Sequence, residues 1–188
     1  MKKYTNLILD RDGVLNKLVV SETSLKGRAP RELMELEFPF EADSIRREID
    51  RYNSIVVTNQ PDVESGAMSR EMALSIHDKV MDRYNIKNSL MCTHKFKLCD
   101  CRKPKTGMIE IASGLFRMKV QETIFIGDRW TDVLCGQTWG CDTLLLSPSL
   151  HESMKATEDG TQPPVGLNPT YFAANWSQVF SILGWRTV

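Results

Sequence analysis

Three acids stand where carboxylates can share one cation. Asp10 and Asp12 in LILDRDGV are separated by a single residue, and Asp128 closes the apolar run TIFIGD. Oxygen donors arranged in this way suit a hard divalent ion such as Mg²⁺, which keeps several of its waters. Side chains two apart on an extended chain face the same way, so Asp10 and Asp12 look into one pocket if the strand reaches Asp12. If it ends earlier, the loop decides. Gly13 lets the chain turn directly afterwards. Any one of these acids is also at home as a solvated residue; it is their shared place at strand ends that favours a site.

A second group of residues is chemically softer. MCTHKFKLCDC puts Cys92, His94, Cys99 and Cys101 at the spacing C-x-H-x4-C-x-C, and the chain then turns basic in RKPK. Three thiolates and an imidazole are an accepted tetrahedral zinc set that discriminates against Mg²⁺, although the spacing is not the usual C-x2-C. A disulfide is the competing reading. Four protein ligands leave no open position, so a zinc ion here is structural. Cys135 and Cys141 lie apart and read as small buried hydrophobes.

These residues need elements to position them. The runs 5–10, 54–59, 123–128 and 142–147 are apolar and β-type, and helical patterns at 41–52, 69–84, 105–118 and 130–140 alternate with them. Ser69 is placed to cap the second helix and Gly140 to end the fourth. Such alternation predicts βα units on a parallel sheet, where ligands bind at the carboxyl ends of the strands; Asp10, Thr58 and Asp128 converge there. From Ser147 to Thr170 the chain is rich in Pro, Gly and polar residues and is expected to run over the surface before a last short helix near 175–183.

Composition narrows the partners. The 188 residues are 41% hydrophobic and 26% charged, ordinary for one domain with its own core. Lys and Arg balance Asp and Glu at 24 each, so no global field draws the chain to nucleic acid or to an anionic membrane, and phosphate-binding charge has to be local. MKKYTNLILD lacks the apolar run of a signal peptide, and no segment approaches the roughly 20 apolar residues of a membrane span. The expected address is the cytoplasm, where structural disulfides are rare.

DRDGV at 10–14, TNQ at 58–60, Lys103 in RKPKTGM and IGDRWTD at 126–132 together resemble the four ordered motifs of the haloacid dehalogenase (HAD) superfamily of phosphotransferases. The likeness runs from about residue 4 to 147. DRDG, TNQ and a Cys/His cluster directly before CRKP point to its histidinol-phosphatase-like branch, which includes heptose bisphosphate phosphatases. The resemblance implies one three-layer α/β/α Rossmann-like domain over 1–188 with a mostly parallel sheet and no large cap domain. It also implies a zinc loop at about 91–103 and a loop-rich extension at about 147–188.

The same resemblance implies roles. Asp10 is the nucleophile that forms an aspartyl-phosphate, and Asp12 the acid and then the base, starting protonated beside an ionised neighbour. Asp10, the Asp12 backbone carbonyl and Asp128 hold Mg²⁺, with Asp132 assisting. Thr58 and Lys103 stabilise the phosphoryl group. Asn59 and Arg102 lie near the substrate; Gln60 and Arg129 join them by adjacency, a surface ion pair being the other reading of Arg129. Glu64 departs from the small or basic residue expected there, and the KFKL linker is short. The segment 16–39 is expected to shape the pocket, with Arg28 and Arg31 either reaching a distal anion or paired at the surface. His77 and the four tryptophans read as structural.

The function implied is Mg²⁺-dependent hydrolysis of a phosphomonoester by a monomer, on a small phosphorylated sugar such as a heptose bisphosphate of cell-surface polysaccharide synthesis. Histidinol phosphate is the alternative within the same chemistry. An inert zinc-stabilised binding module is an alternative of another class, opposed by the intact Asp10, Asp12, Thr58, Lys103 and Asp128. Processing of nucleic-acid ends is opposed by the neutral net charge.

Overall fold

The computed structural model describes residues 3–21, 24–95, 99–157 and 160–186. A six-stranded sheet, parallel throughout, runs in the order β5-β4-β1-β6-β7-β8. Its strands are β1 (Asn6–Leu9), β4 (Asn53–Asn59), β5 (Asn88–Cys92), β6 (Thr123–Gly127), β7 (Asp142–Leu146) and β8 (Tyr171–Ala173). A small antiparallel hairpin, β2 (Val19–Ser21) and β3 (Ser24–Arg28), follows the first strand, and among the described residues no cap domain is inserted.

Both faces of the sheet are covered, which is why its strands are nearly continuous apolar runs. On one face Leu7, Leu9, Val56 and Ile126 meet α1 (Ala42–Ile49), α3 (Arg70–Tyr84) and α7 (Trp176–Leu183). On the other, Ile8, Ile55, Val57 and Phe125 meet α4 (Gly107–Phe116) and α5 (Trp130–Trp139). Alternate residues of β1 thus feed opposite layers of an α/β/α sandwich. Two single-turn helices complete the chain, α2 (Pro61–Glu64) and α6 (Leu150–Ser153). No described helix is long and apolar enough to cross a membrane.

The chain goes outward from β1 through β4 to β5 and then returns to β6 on the other side of β1. The crevice where that order reverses lies between the ends of β1 and β6, the position at which open α/β sheets bind ligands. Leu9 is in register with Val56 and Ile126, and the Asp10 N–H donates to the Ile126 carbonyl at 2.9 Å.

The expected elements are present, with Ser69 accepting from the Met72 N–H at 3.1 Å and Gly140 ending α5 at φ 98°. The described part of 147–170 runs mostly over the surface as expected and carries one short turn, α6; what the sequence does not signal is β8 directly after it, which extends the sheet beside β7. Trp176, Val179, Phe180 and Trp185 are buried in the main core. Three residues of β8 carry no alternating signal long enough to read, and what fixes them is the open edge of β7.

Candidate active site

β1 ends at Leu9, so Asp12 does not share a strand with Asp10; a tight loop presents it instead. The Leu15 and Asn16 N–H groups donate to the Arg11 carbonyl at 2.8 and 3.1 Å, and the Gly13 N–H donates to the Asn16 carbonyl at 2.8 Å. Gly13 sits at φ 83°, and a Cβ there would strike the Asp128 carboxylate, so only glycine gives both the turn and the space. Two distant groups pin this loop: Tyr84 Oη donates to the Leu15 carbonyl at 2.6 Å and Trp176 Nε1 to the Val14 carbonyl at 3.2 Å.

Lys103 is the hub of the crevice. It is 4% exposed, and its Nζ lies 2.9 Å from Asp10 Oδ1, 2.7 Å from Asp132 Oδ1 and 2.9 Å from the Val57 carbonyl. Its backbone is bracketed by Asn59, whose Nδ2 donates to the Lys103 carbonyl and whose Oδ1 accepts its N–H, both at 3.1 Å. Burial pulls the ammonium down, but the Asp10 and Asp132 carboxylates outweigh it and hold its pKa above the ordinary lysine value. Burial raises Asp10 to about 7; Lys103 opposes the rise, while Asp132 and Asp12 add to it. Burial and then the charges of Asp10 and Asp132 also lift Asp128 well above the usual carboxylate range.

This is the environment a divalent cation relieves. Carboxylate oxygens of Asp10, Asp128 and Asp132 lie within 4.8 Å of one another, an all-oxygen set fitted to a hard ion. The grouping joins Asp10 and Asp128 with Asp132, the residue expected to assist; the Asp12 share of the expected set is its backbone carbonyl, which is not a side-chain oxygen. Asp132 enters because it occupies the first turn of α5, where its Oδ2 accepts the Arg129 N–H at 3.1 Å, and Gly127 leaves room for it. The Asp12 carboxylate is turned elsewhere. Its Oδ1 accepts from Arg11 Nε and Nη2 and from Asn16 Nδ2, and its Oδ2 accepts from Arg11 Nη2 and Gln60 Nε2. Arg11, Asn16 and Gln60 thus hold both Asp12 oxygens in place.

The sulfur cluster forms as the spacing suggests. Cys92 Sγ lies 3.2 Å from Cys101 Sγ, 3.7 Å from Cys99 Sγ and 3.5 Å from His94 Nδ1. The four donor atoms fit within 4.8 Å, a soft set matched to zinc, and all three cysteines are free. Phe96, Lys97 and Leu98 of the short linker lie outside the described residues. The cluster's backbone steadies neighbouring cations: Arg102 Nη1 donates to the His94 carbonyl at 3.1 Å and Lys105 Nζ to the Cys99 carbonyl at 2.6 Å. The unexpected Glu64 has a use here, since its carboxylate accepts the Lys95 N–H.

A cavity of about 640 Å³, within the range of small-molecule sites, opens above these groups. Asp10, Asp12, Asn59, Gln60, Arg102, Lys103, Asp128 and Arg129 all line it, as does Gly27 of the hairpin. Thr58 is 1% exposed beneath Gln60, whose Nε2 donates to its Oγ1 at 2.8 Å. Arg28 and Arg31 reach the rim already paired with Glu35 and Asp62. Arg129 also lines the cavity, and its guanidinium forms no ion pair among the described residues. Sequence reasoning passed over Arg11, Asn16 and Tyr84. Arg11 did carry a signal: a cation inside an apolar strand end has to be buried against an acid.

Residues 100–175 match the HAD-hydrolase-like family. The D-glycero-alpha-D-manno-heptose-1,7-bisphosphate 7-phosphatase of Campylobacter jejuni is 29% identical over 154 residues, 77% of this chain and 83% of that protein. The D-glycero-beta-D-manno-heptose-1,7-bisphosphate 7-phosphatase of Neisseria meningitidis serogroup A is 30% identical over 134 residues, 68% of each chain. Among solved structures, the D,D-heptose 1,7-bisphosphate phosphatase of B. bronchiseptica, crystallised with magnesium and phosphate, superposes with a TM-score of 0.74. It has 22% identity and covers 95% of this chain and 97% of its own.

Proposed function

The chain belongs to the HAD-like hydrolases and is a phosphatase, and from that premise we propose that it is a Mg²⁺-dependent phosphomonoesterase acting on a heptose 1,7-bisphosphate or a closely related sugar phosphate. The observation that carries this reading is Lys103, held between Asp10 and Asp132 beside Asp128 at the floor of a cavity rimmed by cations.

Asp10 supplies the nucleophilic oxygen. Its bond to phosphorus forms as the bond to the sugar oxygen breaks, and Asp12 in its acid form hands that oxygen a proton. Water then attacks the phosphoryl group on Asp10 while Asp12, now the carboxylate that its donors hold in place, takes the water's proton. Phosphate leaves and Asp10 is restored. Lys103 balances the charge of the transferring group and Asn59 keeps the lysine's backbone in position. Arg129 and Arg102 face the cavity, where they can meet a second anionic group on the substrate.

Mg²⁺ held by the Asp10 and Asp128 carboxylates and the Asp12 backbone carbonyl, with Asp132 assisting, would supply positive charge that offsets the repulsion between an anionic nucleophile and an anionic substrate. A Zn²⁺ held by Cys92, His94, Cys99 and Cys101 supplies a closed crosslink beneath Arg102 and Lys105. The groups invoked come from one chain, so the acting unit is taken as a monomer, and a reducing cytoplasm keeps the thiols available as ligands.

Phosphate release measured across both heptose 1,7-bisphosphate anomers, other sugar phosphates and histidinol phosphate tests the assignment. A heptose bisphosphate should give the highest kcat/KM. A clear preference for histidinol phosphate, or no release from any sugar phosphate, would contradict it.

A further inference from the structure

We propose that Gln60, together with Arg11, is a positioning residue that aims the Asp12 carboxylate at the leaving-group oxygen; the inference rests on the roles given above to Asp10 and Asp12. Gln60 is 1% exposed and its backbone is fixed, since its N–H donates to the Cys92 carbonyl at 2.7 Å. Its Nε2 reaches two acceptors, Asp12 Oδ2 at 2.6 Å and Thr58 Oγ1 at 2.8 Å. The amide orientation follows from chemistry: an oxygen in that place would face a carboxylate, acceptor against acceptor, so the nitrogen points inward. Each of its N–H bonds then has its own acceptor.

The opposite side of Asp12 is closed by Arg11, which is 0% exposed. Arg11 Nε lies 3.2 Å from Oδ1, and its Nη2 lies 3.1 Å from Oδ1 and 3.0 Å from Oδ2. Asn16 Nδ2 holds Oδ1 at 3.0 Å. Both oxygens are therefore held from two directions. A residue that recognises substrate keeps its donors for the substrate, whereas those of Gln60 are spent inside the protein. It acts on the reaction through Asp12.

The test uses substituted phenyl phosphates of similar size whose leaving groups differ in basicity. General acid catalysis contributes roughly 10²–10⁴-fold and matters most for the poorest leaving groups. In Gln60→Leu, kcat/KM should fall at least tenfold more for phenyl phosphate than for 4-nitrophenyl phosphate, steepening the dependence on leaving-group basicity. Gln60→Glu, which keeps the shape and loses the donors, should steepen it as well and serves if the leucine variant does not fold. An equal loss across the series, which is what a merely structural role would give, overturns the inference, and so does no loss. Asp10→Asn is run in parallel: turnover that survives this substitution means that the catalytic reading itself has failed, whatever the Gln60 variants do.

Discussion

An ammonium between two buried carboxylates does what solvent cannot do in a closed crevice. Lys103 at 2.9 Å from Asp10 and 2.7 Å from Asp132 lets two acids stay close together, and removing one partner of such a buried pair typically costs about 3–5 kcal/mol. Arg11 and Asp12 are a second buried pair, and its influence extends to His77. That imidazole hydrogen-bonds Ser89 Oγ at 2.8 Å, and burial followed by the nearby Arg11 charge lowers its pKa to about 4. Unfolded histidine titrates near 6.5, so between about pH 6.5 and 4 the unfolded chain takes up a proton that the folded chain refuses. His77 therefore makes stability fall as pH drops through that window, by up to about 3 kcal/mol, and the full contribution is present above it. Urea midpoints at pH 7.5 and pH 5 should drop further for the wild type than for His77→Gln. Equal drops would show that the buried imidazole is not the titrating group.

The loop after β1 is held by elements far from it in sequence. Tyr84 ends α3 and Trp176 begins α7, yet both donate to consecutive carbonyls of the loop that carries Asp12. Trp176→Phe deletes the indole N–H and one ring of a buried side chain, which should cost about 2–3 kcal/mol in stability from the lost hydrogen bond and the cavity together. It should also lower kcat severalfold with little change in KM; an unchanged kcat would show that the loop holds its shape without α7. The sulfur cluster supports the site in a similar way, through the carbonyls that hold Arg102 and Lys105. Purified protein should carry near-stoichiometric zinc that survives EDTA, and releasing it with a mercurial reagent should raise KM and lower the melting temperature. Reduced, folded protein without zinc in elemental analysis would refute this. The strand ends, α3 with its Ser69 cap and the C-x-H-x4-C-x-C spacing were legible because each is written in a short run of sequence. The contacts to Val14 and Leu15, the entry of β8 into the sheet and the partnership of Asp132 with Lys103 join residues far apart in the chain, and no local pattern encodes them.

At the scale of the whole molecule, a doubly covered parallel sheet with its order reversing between β1 and β6 brings Asp10 and Asp128 to one crevice, and the chain after β6 closes round it. Trp130 Nε1 donates to the Lys155 carbonyl, tying the start of α5 to the segment whose Thr157 and Thr161 line the cavity. Gly27 and Arg28 of the hairpin line the cavity of about 640 Å³, a volume within the range of small-molecule sites. Every part of this account depends on Asp10 carrying the phosphoryl group. Rapid acid quench during turnover of a heptose bisphosphate, followed by peptide mass spectrometry, reads that directly. The peptide containing Asp10 should gain the mass of one phosphoryl group, with the modification on Asp10 itself, and Asp10→Asn should give neither the adduct nor phosphate release. Steady phosphate release with no adduct on Asp10, or turnover that persists in Asp10→Asn, would contradict the account.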